Sequence, residues 1–223
     1  MNVLITGISR GLGRALAKHY ADRGDRVLGL SRTAPTQLHE SVLWRKIDVT
    51  DDCNSNLSDL LTAVDHLDLL INNAGCGSSG NHLEQVDPSE LTRQLSLHCI
   101  GALRVTQAAV PKLQQSDNPK VINVTSRLGS VNRHLNGEFS GTGFSYPYRI
   151  AKAAQNMLTL CMQGDPSLEG LVIASLQPGL LRTDSGSADA WMDADQGARS
   201  FIHKVDEISS NGAYHILDED ASF

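Results

Sequence analysis

The chain has no apolar run approaching the roughly 20 residues needed to cross a bilayer, so no membrane-spanning helix is expected. It has no C-x-x-C pair either. Its four cysteines, Cys53, Cys76, Cys99 and Cys161, are widely scattered, which argues against a zinc site or a disulfide framework and leaves free thiols. A basic excess is also missing. The formal net charge is -6, whereas a general nucleic-acid binder needs a positive surface to displace counterions from phosphates. The first strand begins at Asn2, which leaves no room for a cleavable leader, and a reducing cytoplasmic compartment is the default expectation. No internal repeat, low-complexity tract or linker argues for a second domain within the 223 residues.

What is present is the balance of a globular chain, with 40% hydrophobic and 20% charged residues. Apolar stretches of strand length alternate with helical segments, the pattern of repeated βαβ units. Strands are expected near Asn2 to Thr6, Arg26 to Ser31, Val42 to Ile47, Leu67 to Asn72, Val121 to Ser126, Leu171 to Gln177 and Ala213 to Leu217. Helices are expected at Leu12 to Arg23, Asp51 to Val64, Pro88 to Gln115, Tyr148 to Gln163 and Asp193 to Val205. Asp87 suits an N-cap and Pro88 the first turn of the third helix. These elements predict a three-layer, doubly wound α/β fold with a mostly parallel, seven-stranded sheet. Two polar, glycine-rich or small-residue-rich stretches, Gly129 to Pro147 and Arg182 to Met192, read as loops, either of which could close over a ligand.

The segment Thr6-Gly7-Ile8-Ser9-Arg10-Gly11-Leu12-Gly13 follows the first strand directly and opens the first helix. Its glycines therefore occupy a turn where a pyrophosphate meets backbone N–H groups and the positive end of a helix. The spacing departs from G-x-G-x-x-G, but the strand, turn and helix context is the one that fingerprint requires. Ser31 and Arg32 stand at the end of the second strand, where an NAD-selective site carries an acidic side chain. Arg32 suits a 2′-phosphate instead, with Arg10 approaching from the glycine turn, and together they favour NADPH over NADH.

Tyr148 and Lys152 lie four residues apart on an expected helix, so both emerge on one face. A nearby cation is expected to lower the pKa of the phenol and make Tyr148 a usable acid and base. Ser126, at the end of the fifth strand, is placed to hydrogen-bond the same substrate oxygen. Tyr146 has no lysine four residues on, so the spacing selects Tyr148.

Taken in order, these residues resemble the short-chain dehydrogenase/reductase family along almost the whole chain. The Thr6 to Gly13 loop is similar to that family's cofactor turn, Asn72-Asn73-Ala74-Gly75 to its strand-end motif, and Ser126, Tyr148 and Lys152 to its catalytic residues. The resemblance implies one NAD(P)-binding Rossmann-type domain over residues 1–223. It puts Asp48 and Val49 beside adenine, Asn73, Ala74 and Gly75 near the adenosine ribose, and Lys152 on the nicotinamide ribose. Pro178, Gly179 and Thr183 would contact the nicotinamide carboxamide. No metal is implied.

Two departures stand out. His98 occupies the position of an asparagine that bends the helix and helps to hold a proton-relaying water. The histidine is either ordinary helix packing or a replacement that keeps the water or joins the relay, in which case activity would depend unusually on pH. The stretch between Ser126 and Tyr148 is longer than usual, and the overall lengths are most similar to small carbonyl reductases of the C-factor and sniffer type. The implied function is NADPH-dependent hydride transfer to or from a small carbonyl or alcohol substrate, with Phe139, Phe144, Tyr146, Leu180 and Trp191 as candidates for an apolar pocket. A pteridine reductase-like enzyme and a catalytically weak nucleotide-sensing or signalling protein are the alternatives. A homodimer or homotetramer is expected, with no nucleic-acid or membrane partner.

Overall fold

In the computed structural model, residues 1–51, 54–183 and 190–215 are described. Cys53, most of the segment between Arg182 and Met192, and the last two residues of the strand expected to end at Leu217 lie outside them. In chain order the elements are β1 (Asn2–Thr6), α1 (Gly11–Asp22), β2 (Arg26–Ser31), β3 (Leu43–Lys46), α2 (Asn54–Leu61), β4 (Leu69–Asn72), α3 (Pro88–Leu95), α4 (Gly101–Leu113), β5 (Lys120–Val124), α5 (Val131–Leu135), α6 (Tyr146–Gln163), β6 (Val172–Gln177), β7 (Leu181–Arg182), β8 (Met192–Asp193), α7 (Ala194–Glu207) and β9 (Gly212–His215).

Strands β1, β2, β4, β5 and β6 are buried almost from end to end. That is why they read as continuous apolar runs: helices cover a parallel sheet on both faces. The seven strands lie in the order β3-β2-β1-β4-β5-β6-β9, and every pairing between them is parallel. One core packs α1 and α7 on one face through Leu16, Tyr20, Phe201 and Val205. The other packs α2, α4 and α6 through Leu57, Val105, Leu113 and Met162. The chain reverses its winding between β1 and β4, and in such sheets ligands bind beyond the strand carboxyl ends at that switch.

Asp87 caps α3 as expected, accepting from the Ser89 N–H at 2.8 Å with Pro88 following. The single long helix expected from Pro88 to Gln115 is interrupted by a turn of π-helix, Ser96–Ile100, that carries His98. The two-stranded ribbon β7–β8 was not expected, and β5 stops two residues short of Ser126. Ser126 instead caps the 3₁₀ turn Arg127–Gly129, its hydroxyl accepting from Leu128 N–H at 3.2 Å.

The stretch between Ser126 and Tyr148 has order of its own. Ser130 caps the short helix α5, His134 Nε2 pairs with the Leu128 carbonyl at 2.9 Å, and Arg133 pairs with Glu138. Phe139 is buried there against His134 and Phe144.

Candidate active site

A cleft of about 1080 Å³ opens at the switch between β1 and β4. Its lining includes Gly7, Ser9, Arg10, Gly11, Leu12 and Gly13 from the first turn, and Arg32, Asp48 and Val49 from the ends of β2 and β3. Asn73, Ala74 and Gly75 follow from β4, His98 from the π-turn, and Ser126, Tyr148 and Lys152 from beyond β5 and from α6. Pro178, Gly179 and Thr183 close the far side. All the candidate site residues thus meet around one cleft, although the chain separates them widely. Of the apolar candidates, Phe144 and Leu180 line it. Phe139 is instead core of the insertion, Tyr146 lies under Arg149, and Trp191 is 63% exposed away from the cleft.

The glycine turn is built by packing. Gly7 sits at φ +76°, and a Cβ there would lie 2.8 Å from the Ala74 Cα. At Gly13 a Cβ would fall 2.3 Å from the Gly7 carbonyl oxygen, so α1 starts directly against the turn. Asn73 ties the two strand ends together: its Nδ2 donates to the Thr6 carbonyl at 2.9 Å and to the Gly7 carbonyl at 3.3 Å. The Thr6 hydroxyl accepts from the Asn73 and Ala74 N–H groups at 3.0 and 2.9 Å. Asn73 thus spends its amide on shaping the turn.

The Arg32 guanidinium stands exposed at the rim, 3.9 Å from the Asp48 carboxylate. Asp48 is held by the Thr50 N–H and hydroxyl at 3.0 and 2.8 Å. Ser31 accepts from Trp44 Nε1 and donates to the Thr33 carbonyl, both at 2.8 Å, and so is committed to structure. Arg10 reaches the same cleft from the N-cap of α1.

Tyr148 is half-buried and lines the cleft beside Ser126. Burial pushes its phenol above the ordinary tyrosine value, with the nearby Ser126 hydroxyl opposing this. The downward shift expected from Lys152 is therefore not found, because burial dominates. The lysine explains why. Its ammonium donates to the Val124 carbonyl at 2.7 Å and to Gln155 Oε1 at 2.8 Å, and it stands 5.9 Å from the centre of the Tyr148 ring. Burial lowers the Lys152 pKa from 10.5 to about 7.

His98 is 1% exposed, with Nε2 3.1 Å from the Cys76 carbonyl. A carbonyl only accepts, so Nε2 carries the proton and the buried Nδ1 presents a lone pair. The ring meets Tyr148 edge-on at 5.4 Å. Burial first, and then the Lys152 charge, hold its pKa well below 6.5. The ring stays neutral, and Lys152 is the group beside it whose pKa burial brings near neutrality. The helix changes hydrogen-bond register at this position, in the π-turn.

Sequence reasoning missed Gln155, whose only sign was a polar side chain three residues after Lys152 on a buried face. Cys76, Ser78 and Asn81 also line the cleft and gave no spacing signal.

The family model described as short chain dehydrogenase matches residues 1–192. The C-signal protein of Myxococcus xanthus is 35% identical over 152 residues, covering 68% of this chain and 88% of that protein. A short-chain dehydrogenase of Pyricularia oryzae is 33% identical over 201 residues, covering 83% of this chain and 78% of the relative. Among solved structures, the carbonyl reductase Sniffer of D. melanogaster superposes with a TM-score of 0.89 at 22% identity, covering 100% of this chain and 99% of that one. The NADPH-bound carbonyl reductase from chicken fatty liver gives 0.86 at 22% identity, covering 100% and 98%. At such identities the structural likeness shows the fold alone.

Proposed function

This chain belongs to the short-chain dehydrogenase family, and from that premise we propose that it is an NADPH-dependent reductase of small carbonyl compounds, acting through Tyr148, Ser126 and Lys152. The observation that carries the reading is the meeting of Tyr148, Ser126 and the buried Lys152 in the cleft onto which the glycine turn opens.

The site fits a dinucleotide. Its volume of about 1080 Å³ slightly exceeds the range of roughly 300–1,000 Å³ for small-molecule sites, leaving room for a substrate as well. The turn from Gly7 to Gly13 admits no Cβ at its two tightest points, as a backbone approached by a pyrophosphate requires. Gly11 faces Thr183 across the cleft, 3.7 Å from where its Cβ would stand, so these two would close over the phosphates. Asp48 and Val49 would hold the adenine, Ala74 and Gly75 the adenosine ribose, and Pro178 with Gly179 the carboxamide. Arg32 and Arg10, both in the cleft lining, would favour a 2′-phosphate.

When bound, the reduced nicotinamide supplies the hydride. A phenol held above its ordinary value keeps its proton at neutral pH, so Tyr148 is an acid ready to protonate a carbonyl oxygen. Ser126 donates to that same oxygen and fixes its position. Lys152 brings positive charge to the same side, where an oxygen gaining negative charge needs it. His98, neutral and edge-on to Tyr148, orients the ring. Apart from Arg10, Arg32, Asp48 and Lys152 the lining residues carry no charge, and they include Phe144, Leu180, Ser78 and Asn81, which suits a small neutral aldehyde, ketone or quinone. Exposed Ile100, Ile150, Met157 and Leu160 support a homodimer or homotetramer packed through the π-turn and α6.

The test is a fluorescence titration with NADPH and NADH coupled to a carbonyl panel, comparing the parent with Tyr148→Phe. The proposal expects tighter NADPH binding and carbonyl turnover that falls by about 10²–10⁴ in the variant with cofactor affinity unchanged. Turnover of quinonoid dihydropterin but no aldehyde selects a pteridine reductase. Tight NADPH binding without any turnover selects a nucleotide sensor, a reading favoured by the likeness to C-signal.

A further inference from the structure

We propose that Gln155 is a positioning residue for the reductase reaction, accepting a hydrogen bond from the Lys152 ammonium and so fixing where that charge stands and how firmly it is kept. Gln155 is 1% exposed and Lys152 is 5% exposed. A glutamine on the sheet-facing side of α6 loses its hydration, a cost that buried amides recover by hydrogen bonding. Its Oε1 accepts from Lys152 Nζ at 2.8 Å, while the Val124 carbonyl at the end of β5 accepts from the same nitrogen at 2.7 Å. The ammonium is thus pinned between a strand end and the next turn of its own helix, with Tyr148 one turn the other way.

The glutamine is itself braced. Its backbone carbonyl accepts from the Thr159 hydroxyl at 3.0 Å. That hydroxyl in turn accepts from Asn123 Nδ2 at 2.9 Å and from the Ser175 hydroxyl at 3.0 Å. A buried polar chain therefore runs from β5 and β6 through α6 to the lysine, and the helix turn bearing Gln155 has little freedom to slide.

The ionisable groups around the ammonium are Tyr148 on its own helix, His98 from the π-turn and Cys76 from the loop after β4. From α3, Arg93 is paired with Glu90; from the 3₁₀ turn after β5, Arg127 is paired with Glu138. The residues of β6 that hydrogen-bond to α6, Ile173 and Ser175, do not ionise. An uncharged amide acceptor is therefore the adjustable partner. An acceptor on an ammonium favours its charged form, a hydrocarbon there withdraws that help, and a carboxylate increases it.

The titration of Lys152 is followed by 13Cε-lysine NMR on the full chain, assigned with Lys152→Met, in the parent, Gln155→Leu and Gln155→Glu. The pH dependence of kcat and KM for carbonyl reduction is measured alongside. Gln155→Leu should move the Lys152 midpoint down by about one unit and Gln155→Glu should move it up by at least as much. The alkaline limb of kcat should follow in the same two directions while KM for the carbonyl holds. Gln155→Met, which keeps the length of the side chain, serves if the branch of leucine unseats the helix. Midpoints that stay put, or that move the same way in the leucine and glutamate variants, overturn the proposal and leave Gln155 a packing residue. The kinetic arm rests on the reductase reading but the NMR arm does not, so a parent without turnover overturns that reading and still leaves Gln155 judged by its titration.

Discussion

Replacing Lys152 by methionine removes a buried cation while keeping most of the side-chain volume, so comparison with the parent isolates the cost of holding that charge. Lys152 is 5% exposed, and burial lowers its pKa from 10.5 to about 7. Between those values the unfolded chain binds more protons than the folded one, so the parent gains stability as pH rises through the window. The cost is complete below the folded value and vanishes above the unfolded one. Integrating the linkage relation across that gap puts Lys152→Met ahead of the parent by about 4 kcal/mol near pH 7 and about 1.5 kcal/mol near pH 9.5. Leaving the Val124 carbonyl and Gln155 Oε1 without their donor subtracts about 1–3 kcal/mol from both figures. The quantity to test is therefore the narrowing of the gap, roughly 3 kcal/mol between those two conditions. Urea unfolding followed by circular dichroism, with parent and variant at a series of pH values, measures it. A gap that is constant, or that widens with rising pH, refutes the reasoning, because the lysine would then be solvated or already neutral.

Further outcomes follow from the same geometry. In Gly75→Ala the new methyl would stand 2.5 Å from His98 Cε1, so overpacking should cost about 1–3 kcal/mol. Combining it with His98→Asn should recover at least half of that in a double-mutant cycle of denaturant midpoints. His98→Asn alone should leave both limbs of the pH–rate profile in place, since the ring is already neutral across the working range; a limb that moves would show the imidazole titrating. Arg32→Asp removes a cation from the adenosine end and adds an anion, so NADPH affinity should fall by about 10–100-fold, with NADH affinity kept. Equal losses for both cofactors in a fluorescence titration would remove Arg32 from any role in the choice.

Much of this arrangement was legible in the sequence because it depends on local order. The glycine turn could be read from its place between β1 and α1, the Asp87 cap from one aspartate before a proline, and the Tyr148–Lys152 pair from helical spacing. What escaped depends on contacts between distant segments. The π-turn around His98 is a slip in hydrogen-bond register without a compositional mark. Ser126 was read as strand, yet β5 leaves its pairing with β6 at Val124 and the serine turns back to cap the next residues. The sign of the Tyr148 shift was misjudged for a related reason: spacing shows that a cation is near, but only the packed structure shows that burial prevails and that Val124 and Gln155 draw the ammonium aside. The insertion before Tyr148 looked irregular by composition, and its order comes from the Ser130 cap and the Arg133–Glu138 pair.

Single-turnover reaction with NADPH deuterated at the transferred position of the nicotinamide tests hydride chemistry at this cleft most directly. With a carbonyl that the parent consumes, deuterium should appear on the carbinol carbon, and Tyr148→Phe should slow its appearance without weakening the bound complex. NADPH that binds tightly in the parent while no deuterium reaches any carbonyl would contradict the account.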